Sequence, residues 1–352
     1  MNVEAGLQNP ALSAPPTIRG WRVVGVAAGI AAATYLAAQA DWSKARLLLN
    51  HMGAWAPLVV LPFLLAMCLG TIAWRLCLIQ LGRRLPLSAL LRVRIMAEMV
   101  MTVVPGGAVI TETLKPVWLR RRFGVELGDG AASVVLTKAL ILQTAGAYWL
   151  LALLLAYPRW ASAGVSIAGP LRWVWQGLPA LALVMCGLGW LLMRTLKTGS
   201  AMKLLHSLFR RVPIPPLQRA LAKQDHLMAA THGSFVRFFG DGANAVWLWG
   251  FVFTLGQWFA EAVETFLILR LLGVHISPTD ALLVESLLST VRALVFFLPG
   301  GLGAQEVAAF FLFQLVGVPN AEASTTAWAF TKRSKEVFWI VTAIGLGLVK
   351  RR

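Results

Sequence analysis

VVPGGAVITE (Val103–Glu112) and FLPGGLGAQE (Phe297–Glu306) are two copies of one pattern, 194 positions apart in a chain of 352 residues. The same offset carries Thr137–Lys138 onto Thr331–Lys332. Pro105, Gly106, Gly107 and Glu112 thus match Pro299, Gly300, Gly301 and Glu306 in one register. Islands that agree at a single offset point to an internal duplication, a common construction in membrane transporters.

The surrounding composition fits that reading. Hydrophobic residues make up 58% of the chain and charged residues 13%, with a mean hydropathy of +0.70. A soluble protein is nearer about 45–50% apolar and about 25% charged. Several apolar runs of about 20 residues predict helical spans, and the alternation of a β-barrel is absent. The expected fold is an all-α integral membrane protein. It would have six to eight transmembrane helices and two Pro-Gly-Gly hairpins in an inverted internal repeat.

The net charge of +17 does not point to nucleic acid, because no basic, aromatic-interleaved soluble module carries it. The basic residues gather between spans, where they would attract anionic lipid headgroups. Cys68, Cys77 and Cys186 fall in apolar runs and suggest packing rather than disulfides. The histidines lack metal-ligand spacing, so neither metal nor cofactor is expected.

Residues 1–18 read as a disordered polar tail, and 19–350 as one polytopic membrane domain. Spans are expected over 21–40, 57–81, 131–157, 177–194, 244–270 and 325–349. The first run ends in Ala38-Gln39-Ala40, the form of a signal-peptide cleavage box, but its full length and long polar prefix favour a retained helix. Repeat 1 covers about 57–157 and repeat 2 about 244–349. The segments 93–114 and 281–318 each enter and return, as a re-entrant hairpin or as two short spans. Between the repeats, 194–243 mixes basic residues with Leu204, Leu208, Phe235 and Phe238. It is either a set of amphipathic helices on the membrane surface or a solvated connector.

Charge sets the orientation. One side collects Arg19, Arg22, Arg83, Arg84, Arg92, Arg94, Lys115, Arg120–Arg122, eight linker residues and Lys350–Arg352, which is 21 in all. The other side holds Lys44, Arg46, Arg159, Arg172 and Arg270, five in all. Under the positive-inside rule both termini are cytoplasmic. The first hairpin then opens from the cytoplasm and the second from the opposite face.

Ionisable groups in hydrocarbon are costly and become site candidates by default. Glu98 and Glu112 lie in the first hairpin, Glu285, Arg292 and Glu306 in the second, and Lys138 and Lys332 on the helices that follow. Symmetry would set Glu112–Lys138 against Glu306–Lys332 around a polar, nearly neutral cavity suited to a zwitterionic or anionic headgroup. The alternative is that each Glu only holds a hairpin tip down. Lys332 and Glu336 are spaced for a local pair, and Glu285 and Arg292 share a helix face. Glu261 and Glu264, one turn apart, either form a protonatable coupling site or have a cavity-facing or partner-paired structural role. Gly106, Gly107, Gly300, Gly301 and Gly303 suit tight turns at the tips. Trp42, Trp160, Trp173 and Trp339 read as interface anchors.

FLPGGLGAQE resembles the Pro-Gly-Gly-x-Gly-x-x-Glu signature of the lysylphosphatidylglycerol synthase transmembrane region, or flippase-like domain, family. The resemblance implies a membrane domain that moves lipids between leaflets, with hopanoid- and lipid-glycosylation-associated relatives. It marks Pro299, Gly300, Gly301, Gly303 and Glu306 as functional positions. The large cytosolic aminoacyl-transferase domain of the bifunctional synthases has no counterpart here, so lipid aminoacylation does not carry over. Three functions stay open: a lipid translocase of the bacterial inner membrane, a membrane-embedded headgroup transferase, or a scaffold for lipid-biosynthetic partner proteins. No catalytic nucleophile or metal motif supports the second.

Overall fold

The computed structural model describes residues 42–162, 170–198 and 225–348. The N-terminal tail, the expected span 21–40, linker residues 199–224 and Lys350–Arg352 lie outside the described residues, as do the side chains of Arg159, Trp160, Arg172 and Trp173.

Among the described residues the fold is helical, with no strand. In chain order the helices are α1 (Trp42–Met52), α2 (Val60–Gln80), α3 (Leu87–Val103), α4 (Gly107–Phe123), α5 (Leu127–Ser162) and α6 (Pro170–Lys197). After these come α7 (Asp225–Phe238), α8 (Ala243–Leu271), α9 (Pro278–Leu294), α10 (Ala304–Leu315) and α11 (Ala321–Leu348). Four stretches among the described residues are long and apolar enough to cross a membrane: Trp42–Gln80, Leu127–Pro158, Pro179–Lys197 and Ala243–Leu271. Their outward faces stay apolar, with Leu154, Leu183, Leu248 and Trp249 all more than half exposed. Such faces need lipid around them. α11 has 28 residues, enough for about 42 Å, but carries Lys332, Arg333, Lys335 and Glu336 at its centre.

The two Pro-Gly-Gly motifs occupy corresponding places. α2 ends in a Schellman turn, in which Arg83 N donates to Leu78 O at 2.8 Å. α8 ends the same way, Val274 N donating to Leu269 O at 2.9 Å. A short helix follows each turn, α3 or α9, and then a break at the motif. At the first break Gly106 has φ +70°, a conformation that costs other residues about 1–2 kcal/mol. Gly107 lies so close to Val100 O that a Cβ there would overlap it. These two positions turn α3 directly into α4, and the arms pack together. At the second break Pro299–Gly301 makes one tight turn before α10. Three of the four arms have 17 residues and reach about 25 Å, and α10 has 12 and reaches about 18 Å, all less than the roughly 30 Å of a hydrocarbon core.

The tips meet. Gly106 N donates to Phe297 O at 3.2 Å, joining the first motif to the second across the molecule. Packing is reciprocal around this point: α3 lies against α11, α9 against α5, and α2 against α8. Within the linker, α7 docks on α5, burying Phe235 and Phe238 against Cys77, Leu136 and Leu140. Asp129, fully buried, accepts from Arg83, Ser234 and Arg237 and ties α7 to the start of α5.

Candidate functional site

Beside the tips lies a cavity of about 380 Å³, walled by α2, α3, α4, α5, α8, α9, α11 and the second turn. Its lining mixes Phe63, Met67, Trp74 and Trp258 with Arg94, Glu98, Glu112, Lys115, Lys138, Glu261, Arg292, Lys332, Lys335 and Glu336. Helical periodicity gathers these charges, because residues three or four apart share a face. Arg94, Glu98 and Thr102 do so on α3, Glu112 and Lys115 on α4, and Lys332, Lys335 and Glu336 on α11.

On the first-repeat side the expected pair is present. Glu112 binds Lys138 at 2.8 Å and Lys115 at 3.0 Å. Lys138 keeps 47% of its side chain accessible, so the cavity is not sealed there.

The second-repeat side departs from the symmetric expectation. Lys332 pairs with Glu285 at 3.2 Å, not with Glu306 or Glu336. Glu306 reaches back to Gly303 N at 2.8 Å and binds Arg333, and Arg333 also takes Glu336 at 2.7 Å. Residues 332 and 333 point to different sides of α11. Arg333 lies over the hairpin tip, where it also donates to Gly300 O at 3.1 Å, and leaves Lys332 to the acid on α9. Glu306 therefore closes the first turn of α10 and tethers the tip.

Glu285 is the centre of the second cluster, with its side chain 1% exposed. It accepts from Thr265 at 2.6 Å, from Arg292 at 2.7 Å and from Lys332. The expected Glu285–Arg292 contact is thus present. Glu261 accepts from Gln257 at 3.2 Å and from Arg292 at 3.5 Å. Glu264 is separate from it, paired in the core with Lys335 at 2.6 Å. Glu98 lines the cavity with no hydrogen bond or ion pair to its carboxylate among the described residues.

Sequence reasoning set Arg94 and Lys115 among cytoplasmic loop charges, but both belong to the cavity wall. The spacings Arg94–Glu98 and Glu112–Lys115, four and three residues within helices, were the available signal. Trp339 is not an interface anchor either: it is 6% exposed and packs against Phe63.

An all-helical bundle with lipid-ready outer faces and an ionised internal cavity is a membrane protein with a polar site inside it. The chain belongs to the family described as the lysylphosphatidylglycerol synthase transmembrane region, whose pattern matches residues 22–345. It is also similar to a UPF0104 membrane protein of Methanothermobacter thermautotrophicus, 34% identical over 95 residues. That match spans 27% of this chain and 27% of the relative's length.

Proposed function

We propose that this protein is a lipid translocase of the cytoplasmic (bacterial inner) membrane, and not an enzyme. Its two hairpins would be inverted repeats, re-entrant from opposite faces, with both termini cytoplasmic. The observation that carries the reading is the junction of the tips, Gly106 to Phe297, beside a charged cavity of about 380 Å³. Short arms that meet tip to tip account for a helix break at membrane depth, since protein covers the freed backbone groups. The reciprocal packing of α3 on α11 and α9 on α5 suits a two-fold relation. A cavity of this size accepts a headgroup while the acyl chains stay in lipid.

The cavity is one-sided. Lys115 and Val134 line it, whereas the residues at the repeat offset, Ala309 and Trp328, are 0% and 1% exposed. Among the described residues Thr325 Oγ1 and Trp328 Nε1 are buried on that side without hydrogen-bond partners, as are His232 Nδ1 and Trp339 Nε1 elsewhere. Opening that half while the first closes would present the cavity to the other leaflet.

Leaflet-resolved lipid analysis of cells lacking the protein tests this function against a headgroup transferase. A translocase predicts an unchanged set of lipids with altered leaflet distribution. A missing lipid species would overturn it in favour of an enzyme.

A further inference from the structure

The cations around the cavity are not equally served. Arg292 and Lys332 share Glu285 at 2.7 and 3.2 Å, Glu261 lies 3.5 Å from Arg292, and Lys335 meets Glu264 at 2.6 Å, so on the second-repeat side three acids serve three cations. On the first-repeat side Lys115 and Lys138 share a single acid, Glu112. Arg94 has no carboxylate within ion-pairing distance among the described residues. Its one hydrogen bond there runs from Nη2 to Gln257 Oε1, at 3.0 Å.

Arg94 is also held in place. Its guanidinium lies against the backbone of Gly70, where an added Cβ would stand 2.7 Å from Nη2 and closer still to Nη1. Only a residue without a side chain leaves that space, and Gln257 fixes the group from α8. A guanidinium carries five N–H donors. With one of them used, this group is an oriented fork facing a cavity, short of acceptors.

We propose that Arg94, Lys115 and Lys138 form a binding site for a phosphate group, which on the translocase reading above is that of a lipid headgroup. Guanidinium geometry matches two phosphate oxygens at once, and the lysines add point charges that one carboxylate leaves half neutralised. Glu98 lies on the same wall, one helical turn from Arg94. The site is therefore a phosphate pole beside an acid, rather than a uniformly basic pocket.

The test is binding to the full-length purified protein, followed by the fluorescence of its tryptophans, of which Trp74 and Trp258 line the cavity. The probes are inorganic phosphate, dihexanoyl-phosphatidylglycerol and, as a phosphate-free control, dihexanoylglycerol. Arg94→Gln should weaken the phosphate probes by about tenfold or more and leave the control unchanged. Lys138→Gln, at a half-exposed position, provides the same test should Arg94→Gln fail to fold. Binding of both phosphate probes means the group itself is recognised; binding of the lipid probe alone assigns the site to a headgroup. Either outcome supports the proposal. Absence of binding by both phosphate probes, or unchanged affinity in a folded variant, overturns it. Phosphate binding without lipid movement in proteoliposomes would sink the translocase reading alone, and movement of phosphate-free lipids without phosphate binding would sink the phosphate site alone.

Discussion

Replacing Glu285 by Gln tests the second cluster at its centre. The amide keeps nearly the same shape, so no cavity opens and the change is almost purely one of charge. Glu285 is the acid that Lys332 meets, and Lys332 has only 9% of its side chain exposed. Arg292 keeps a longer contact to Glu261 at 3.5 Å. Breaking a buried pair from one side costs about 3–5 kcal/mol, because a charge is left uncompensated. Removing both charges of a pair costs far less. Glu285→Gln should therefore destabilise the protein by about 3 kcal/mol or more. Adding Lys332→Met should restore about 2 kcal/mol of that, a coupling within the range for contacting residues. Equilibrium unfolding in mixed micelles, followed by tryptophan fluorescence, measures Glu285→Gln, Lys332→Met and the double variant. A loss below about 1 kcal/mol, or strict additivity in the double variant, would refute the claim that Glu285 neutralises Lys332 in the interior.

Two further expectations concern the tip and the cavity. Gly106→Ala should cost about 1–2 kcal/mol, read as a lower Tm, since φ is +70° there; an unchanged Tm would mean the first tip relaxes freely. Lys115→Cys should react with a polar thiol reagent added from the cytoplasmic side, while Ala309→Cys, at the same place in the second repeat, should not. Equal labelling at both positions would contradict a cavity open on one side.

Much of this was written in the chain. Hydropathy located α2, α5 and α8 to within about five residues, since a helix that meets lipid must be apolar along its length; α6 starts seven residues before the expected 177, and α11, expected over 325–349, carries four charged residues at its centre. Pro-Gly-Gly marked both breaks in the helices. Partner choice was not legible, because it depends on helix phase across contacts far apart in sequence. Lys332 and Arg333 are neighbours in the chain, yet they serve Glu285 and Glu306 on different elements. Charge counting also moved Arg94 and Lys115 outward, because it treats a basic residue near a span as an interface residue. A guanidinium housed against Gly70 and held by Gln257 rests on the approach of α2, α3 and α8, which no local pattern encodes.

Movement of lipid between leaflets can be followed in proteoliposomes containing the purified protein. With a fluorescent phosphatidylglycerol and a membrane-impermeant quencher, the inner-leaflet pool of a translocase should become accessible faster than in protein-free vesicles. The same rate in both, across phosphate-bearing and phosphate-free lipids, would contradict the translocase reading.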